Sequence, residues 1–204
     1  MDTLNHILSS YFNTYYDNLD FIRSPLEIQN LNRNDLAQIF SDLHFKSGAE
    51  IGVEQGVYSE VLLKANPNLY LHCVDAWQAH QGYKDHTNQE KLDKFYHITC
   101  DRLKKFDTRY EIWKAFSLDV VKRFVPESLD FVYIDANHDF LHVTQDIFYW
   151  SKMVRKGGIV AGHDYYRDNR YSHVHVKQVL DGYTEAYNIK PLFIIDDSWF
   201  FVKI

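Results

Sequence analysis

The stretch "GAEIGVEQGVYSEVLL", Gly48 to Leu63, alternates two acids, Glu50 and Glu54, with two glycines, Gly52 and Gly56, where an apolar run gives way to a helical pattern. A strand, a glycine turn and a helix in that order let backbone approach a nucleotide-like ligand closely. A dinucleotide fold uses G-x-G-x-x-G, and its middle glycine admits the pyrophosphate. Here the spacing is G-x-x-x-G and Glu54 stands at the middle position, where its charge repels phosphate. No G-K-[ST] follows, which excludes a P-loop. The ligand that suits this turn is cationic and free of phosphate.

S-adenosylmethionine has that chemistry: an ammonium, a sulfonium, a ribose diol and an adenine. Glu50 faces the ammonium in this reading. In "LHCVDAW" the second strand ends with Asp75, 25 residues beyond Glu50, near the spacing of about 20 expected of a ribose-binding acid. A carboxylate there accepts hydrogen bonds from both ribose hydroxyls, and Trp77 is placed to stack on the adenine. The bland alternative is that Asp75 caps its loop and Trp77 is core.

A second group of reactive side chains follows. "FVYIDANHDF" carries Asp135, His138 and Asp139, and "GGIVAGHDYY" carries His163 and Asp164. Three readings stand. Asp135 and Asp164 supply hard oxygen ligands for Mg²⁺ or Mn²⁺, which would hold and acidify an acceptor hydroxyl. His138 or His163 acts as a metal-free base, with His138 favoured. Or the pairs are structural, with His163 and Asp164 bonded to each other. His142, His173 and His175 read as helix-surface residues. The segment "YYRDNRY" is rich in tyrosine and arginine and is compatible with a sugar or aromatic acceptor.

These residues need an α/β frame. At 204 residues, 46% hydrophobic and 16% aromatic, the chain suits one α/β domain with a sizeable core. A net charge of −6 argues against a nucleic-acid partner. Cys73 and Cys100 lack metal-ligand spacing and read as buried thiols of a reducing compartment. No basic leader or long apolar run is visible, so the expectation is a cytoplasmic protein with no membrane contact.

Short apolar runs at 49–53, 69–74, 110–116, 129–134 and 158–162 read as buried parallel strands. Helical patterns separate them at 57–65, 87–106, 117–124 and 140–154, with another near 172–186. "PLFIID" and "SWFFVKI" are separated only by the Asp196-Asp197 region, which forces an antiparallel hairpin. Residues 1–45 read as a helical extension, with Asn34 capping "DLAQIFSDL".

From Gly48 onward, about three quarters of the chain resembles a class I S-adenosylmethionine-dependent methyltransferase, most similar to the bacterial methyltransferase-24 domain family. "AEIGVEQGVYSEVLL", "VDAW", "LDFVYIDANHD" and "KGGIVAGHDY", in that order, carry the resemblance. It implies a Rossmann-like seven-stranded sheet, mostly parallel, that closes in a C-terminal antiparallel hairpin. It implies S-adenosylmethionine as cofactor and a small-molecule acceptor, with O-methylation as the expected reaction. Glu50, Gly52 and Gly56 would surround the methionine end. Asp75, Ala76 and Trp77 would meet the ribose and adenine, Ser117 would lie near the adenine, and Asp135 would complete the contacts. Residues 1–45 would form a lid or a homodimer contact before a domain spanning 46–204. Metal-dependent catechol-type O-methyltransferases carry an Asp-Asn pair after strand five, whereas this chain has Asp164-Tyr165. The rival functions are a binding module without turnover and an NAD-dependent oxidoreductase.

Overall fold

The computed structural model describes residues 3–12, 24–80, 88–166, 168 and 171–204. In chain order the elements are α1 (Thr3–Phe12), β1 (Leu26–Glu27), α2 (Arg33–Asp42), β2 (Ser47–Ile51), α3 (Val57–Ala65), β3 (Tyr70–Asp75), α4 (Gln89–Leu103) and β4 (Tyr110–Lys114). There follow α5 (Ser117–Val120), β5 (Leu129–Ile134), α6 (Phe140–Trp150), β6 (Val154–Gly162), α7 (Val176–Ala186), β7 (Phe193–Ile195) and β8 (Ser198–Val202). Short 3₁₀ turns at Lys104–Phe106 and Val121–Arg123 continue α4 and α5.

The strands form a single sheet in the order β1-β7-β8-β6-β5-β2-β3-β4. β8 runs antiparallel to both β6 and β7, and the other pairings are parallel. The Asp196-Asp197 turn makes the expected hairpin, with Asp196 in the left-handed region at φ 54. There is one strand more than the expected seven. Leu26 and Glu27 lie parallel to β7, with Leu26 N–H donating to Leu192 O at 2.7 Å and Ile28 N–H to Ile194 O at 2.9 Å. β6 also starts earlier than expected, because the pairing shifts register opposite Leu129/Phe131 and absorbs Lys156 and Gly157 into the strand.

Alternation along the strands feeds two cores. Phe131 and Tyr133 join α1–α4 on one face, while Val132 and Ile134 join α5–α7 on the other. Leu4, Ile7 and Leu8 of α1 belong to the first core, so the N-terminal helices share the sheet's packing. Among the described residues no helix is long and apolar enough to cross a membrane. Cys73 is buried, Cys100 is half-buried, and neither is in a disulfide.

The start of α2 differs from the expected cap at Asn34. Asn32 is the cap: its side chain accepts from Asn34 N–H at 2.8 Å, while Asp35 Oδ2 accepts from Asn32 N–H at 2.8 Å. This reciprocal box satisfies donors that a helix start otherwise leaves open, and it puts Arg33 at the first helical position. Asn32→Ala should cost about 1 kcal/mol. For a chain of this size that lowers the melting temperature by about 2–4 °C, readable by circular dichroism.

Candidate active site

β2 is the switch point of the sheet. The chain leaves it toward β3 and β4 on one side and returns to β5 on the other. A crevice opens at the carboxyl ends of strands so arranged. The turn after β2 alternates into the left-handed region at Gly52 (φ 89), Glu54 (φ 52) and Gly56 (φ 70). Gly52 is compelled: a Cβ there would lie 2.0 Å from Asp135 O, because the exits of β2 and β5 run side by side.

Protein groups hold this turn on every side. The Asp75 carboxylate accepts from Val53 N–H at 3.0 Å and Glu54 N–H at 2.9 Å, and from Trp77 N–H at 2.8 Å. Glu54 O accepts from Trp77 Nε1 at 2.7 Å and Thr99 Oγ1 at 3.0 Å, and Gln55 O accepts from Arg102 Nε at 2.9 Å. The amides that would cradle a phosphate in a dinucleotide fold already serve a carboxylate.

Two cavities meet at the turn, sharing Gly52, Asp75, Leu92 and Ala136 in their linings. The first, about 250 Å³, is lined by Arg33, Glu50, Glu54, Tyr58, Asp135 and His138 among others. Ala49 and Ile51 point into the second core, so Glu50 faces α3, where it is 2% exposed and accepts a hydrogen bond from Ser59 Oγ. Burial pushes its carboxyl up to about 8, against the opposing pull of the Ser59 hydrogen bond, with nearby Asp135 adding to the rise.

The second cavity, about 430 Å³ and more apolar, includes Ala76, His80, Phe116, Ser117, His142 and Asp146 in its lining. Ser117 Oγ donates to Asp146 and accepts from Trp150 Nε1 at 2.8 Å. Burial pushes Asp146 up to about 6, and the Ser117 hydrogen bond opposes that rise. Trp77 also borders this cavity but is 1% exposed and edge-on to Tyr96 at 5.2 Å. At 1% exposure it is a core ring that pins the turn, with little surface to offer an adenine. Phe116, 38% exposed, also lines this cavity, with the His80 ring T-shaped to it at 5.4 Å.

In the wall of the first cavity Asp135 and His138 meet Asp164, and the three offer ligand atoms that all lie within 4.8 Å of one another. His138 Nε2 is 2.7 Å from Asp164 Oδ2 and 3.4 Å from Asp135 Oδ1. Asp164 is the hub, since His163 Nδ1 at 2.9 Å and Tyr166 O–H at 2.5 Å also reach its Oδ1. Burial works to raise the Asp164 carboxyl, but the hydrogen bonds from His138, His163 and Tyr166 outweigh it and hold it well below the usual range. Burial likewise works to lower His163, but its bond to Asp164 and the charge of Asp135 raise it.

The sequence-expected residues thus divide. Glu50, Gly52, Asp75, Ala76, Ser117 and Asp135 line the joined cavities, and His138 stands at the first. Gly56 starts α3 beneath the turn, with Thr99 against it. His163 lines neither cavity, and its Nδ1 lies 2.9 Å from Asp164 Oδ1. Asp75 serves three backbone donors, which leaves about one of a carboxylate's four acceptor positions open. His142 borders the second cavity and is not merely a helix-surface residue, and His175 Nδ1 accepts Phe140 N–H at 3.1 Å. In "YYRDNRY", Arg167, Asn169 and Arg170 lie outside the described residues.

Arg33, Phe116 and Asp146 also line these cavities and are not among the residues expected from the sequence. Asp146 had a signal: it falls among Val143, Ile147 and Trp150 on the buried stripe of α6, where an acid is out of place. Arg33 carried none, because its role depends on where α2 begins.

A family model described as a methyltransferase domain matches residues 49–165. No curated protein matches the sequence. Among solved structures, an O-methyltransferase from Bacillus cereus in complex with SAH is 14% identical, with 98% of this chain and 96% of that one covered at a TM-score of 0.60. The O-methyltransferase TomG from Streptomyces achromogenes, in complex with SAM, is 15% identical, with 100% and 91% covered at 0.60. The N-methyltransferase NodS from Bradyrhizobium japonicum is 17% identical, with 84% and 94% covered at 0.55. At these identities the likeness is one of fold.

The raised Glu50 makes a pH prediction. An acid whose folded value of about 8 exceeds its ordinary 4.5 stabilises the fold fully below pH 4.5 and loses that contribution as pH rises through 8. Glu50→Gln keeps an acceptor for Ser59 and removes the titration. The variant should gain on the parent between pH 5 and 8, reaching a few kcal/mol on the order expected of a shift this size. Urea unfolding of both proteins across that range checks it, and a constant difference contradicts it.

Proposed function

The chain belongs to the methyltransferase domain family, and from that premise we propose that it transfers a methyl group from S-adenosylmethionine to a hydroxyl of a small molecule. The observation that carries this reading is the pair of cavities joined at Gly52, one acid-lined and one apolar, across a turn whose amides are closed to phosphate. Such a site suits a ligand with a cationic amino-acid end and a flat base, and it disfavours a dinucleotide. In this reading Glu50 faces the ammonium, Asp75 takes one ribose hydroxyl, and the adenine lies against Phe116 beside Ser117 and Asp146. When bound, S-adenosylmethionine supplies a methyl activated on sulfur and displaced in line, so positioning accounts for much of the rate.

His138 is the base in this proposal. Asp164 at 2.7 Å orients its imidazole and stabilises the imidazolium that forms as the acceptor hydroxyl gives up its proton. A cation-assisted variant has its own observation. Two carboxylate oxygens and an imidazole nitrogen within 4.8 Å fit Mg²⁺ or Mn²⁺, held by Asp135, His138 and Asp164. That ion would acidify the hydroxyl directly. On the acceptor side, Tyr166 and Tyr171 lie 5.4 Å apart, which favours an aromatic or sugar hydroxyl. The N-terminal segment contributes Arg33 to the donor cavity, a role for residues 1–45 beyond that of a lid or dimer contact.

Ligand binding to the folded state alone raises the melting temperature by mass action. S-adenosylmethionine and S-adenosylhomocysteine should each stabilise the protein by about 2.7 kcal/mol at a hundred times Kd, and NAD should not. A shift with NAD and none with the other two would sink the proposal. Once an acceptor is found by screening hydroxylated aromatics and sugars, turnover should survive EDTA and fall roughly 10²–10⁴-fold in His138→Ala. Loss to EDTA and rescue by Mn²⁺ would instead assign the step to the cation.

A further inference from the structure

The donor cavity has an electrostatic problem that Glu50 does not solve. Four of its lining residues are carboxylic acids, Glu50, Glu54, Asp75 and Asp135. The amino-acid end of S-adenosylmethionine carries a carboxylate as well as an ammonium, and like charges brought together in a closed site cost several kcal/mol. Among the described residues, Arg33 is the one lysine or arginine lining this cavity.

Arg33 is held in place with room to bind. It is the first residue of α2, fixed there by the Asn32 capping box. Its guanidinium lies 5.4 Å from the centroid of the Tyr58 ring, and the Tyr58 hydroxyl donates to Arg33 O at 2.8 Å. The Tyr133 hydroxyl is a side-chain hydrogen-bond partner of the guanidinium, while Asp135 Oδ2 is 3.6 Å from Nη1, too far for a hydrogen bond, so the fork is not locked in a tight bidentate carboxylate pair. Depth also orders the cavity. Glu50 is 2% exposed, whereas the Arg33 side chain is 38% exposed, which sets the anionic group inside and the cationic one at the rim.

We infer that Arg33 binds the carboxylate of the methyl donor's amino-acid end, with the ammonium directed inward to Glu50. The inference rests on the S-adenosylmethionine reading and adds a subsite from a segment that precedes the matched family region. Guanidinium is suited to this task, because its planar fork matches a carboxylate with two parallel hydrogen bonds, whereas a lysine ammonium offers only a point charge. Arg33 is a binding and orienting residue that fixes the donor's long axis across Gly52.

Calorimetry with two ligands tests it. S-adenosylhomocysteine has the amino-acid end, and 5′-methylthioadenosine lacks it. Arg33→Ala should weaken S-adenosylhomocysteine roughly tenfold or more, as expected for a charge-assisted pair, and leave 5′-methylthioadenosine unchanged. Arg33→Lys should fall between the two. Equal weakening of both ligands would mean that Arg33 only props Tyr58 and α2, and would overturn the inference. No weakening of either would overturn it too. If the unmodified protein binds neither ligand, the donor reading itself fails and takes this subsite with it. Binding of both by the parent leaves the Arg33 variants to decide the subsite alone.

Discussion

The Asp75 carboxylate is the tie on which the site depends. It sits at the end of β3 and holds Val53 and Glu54 N–H of the turn after β2, and its other oxygen holds Trp77 N–H. Hydrogen bonds to a charged acceptor are among the stronger ones, and here three converge on one group. They lock the exits of two neighbouring strands together and turn the chain back so that the Trp77 indole reaches Glu54 O at 2.7 Å. The ligand chemistry follows. A turn whose amides already serve a carboxylate has nothing to give a phosphate, and the two cavities on either side of it suit a cationic end and a base.

The charges around that tie are graded by depth. Glu50 is buried against α3 at the inner wall of the first cavity, and burial pushes its carboxyl up to about 8, whereas Asp164 is pinned as a carboxylate by two histidines and a tyrosine. Burial disfavours charge at both positions, and the hydrogen-bond donors around Asp164 reverse the outcome there. Two buried acids thus differ in charge by environment alone, and in the proposed reaction the first receives the donor's ammonium and the second orients an imidazole. Arg33 lines the same cavity as Glu50, its Nη1 3.6 Å from Asp135.

Much of the frame is legible in the chain. The helix Val57–Ala65 and the strand Leu129–Ile134 have the expected boundaries because a glycine turn and an uninterrupted apolar run mark them. The hairpin is legible because no crossover fits between Ile195 and Ser198. What escapes sequence reading depends on tertiary context. Two residues, Leu26 and Glu27, carry no periodicity and become a strand only because β7 offers an open edge. Trp77 reads as a stacking platform in a one-dimensional view, yet the Asp75 tie draws it into the core. Arg33 gains its place from a cap two residues earlier than the pattern marks, at Asn32. Asp146 shows the opposite case, since an acid on an apolar stripe is visible in advance to a reader who checks helix faces for misfits.

A crystal structure with S-adenosylhomocysteine bound tests the donor site most directly. The expected result is the sulfur above Gly52, the amino-acid end between Glu50 and Arg33, and the adenine against Phe116 beside Ser117 and Asp146. Ligand density in the reverse orientation, or lodged outside both cavities, would contradict it.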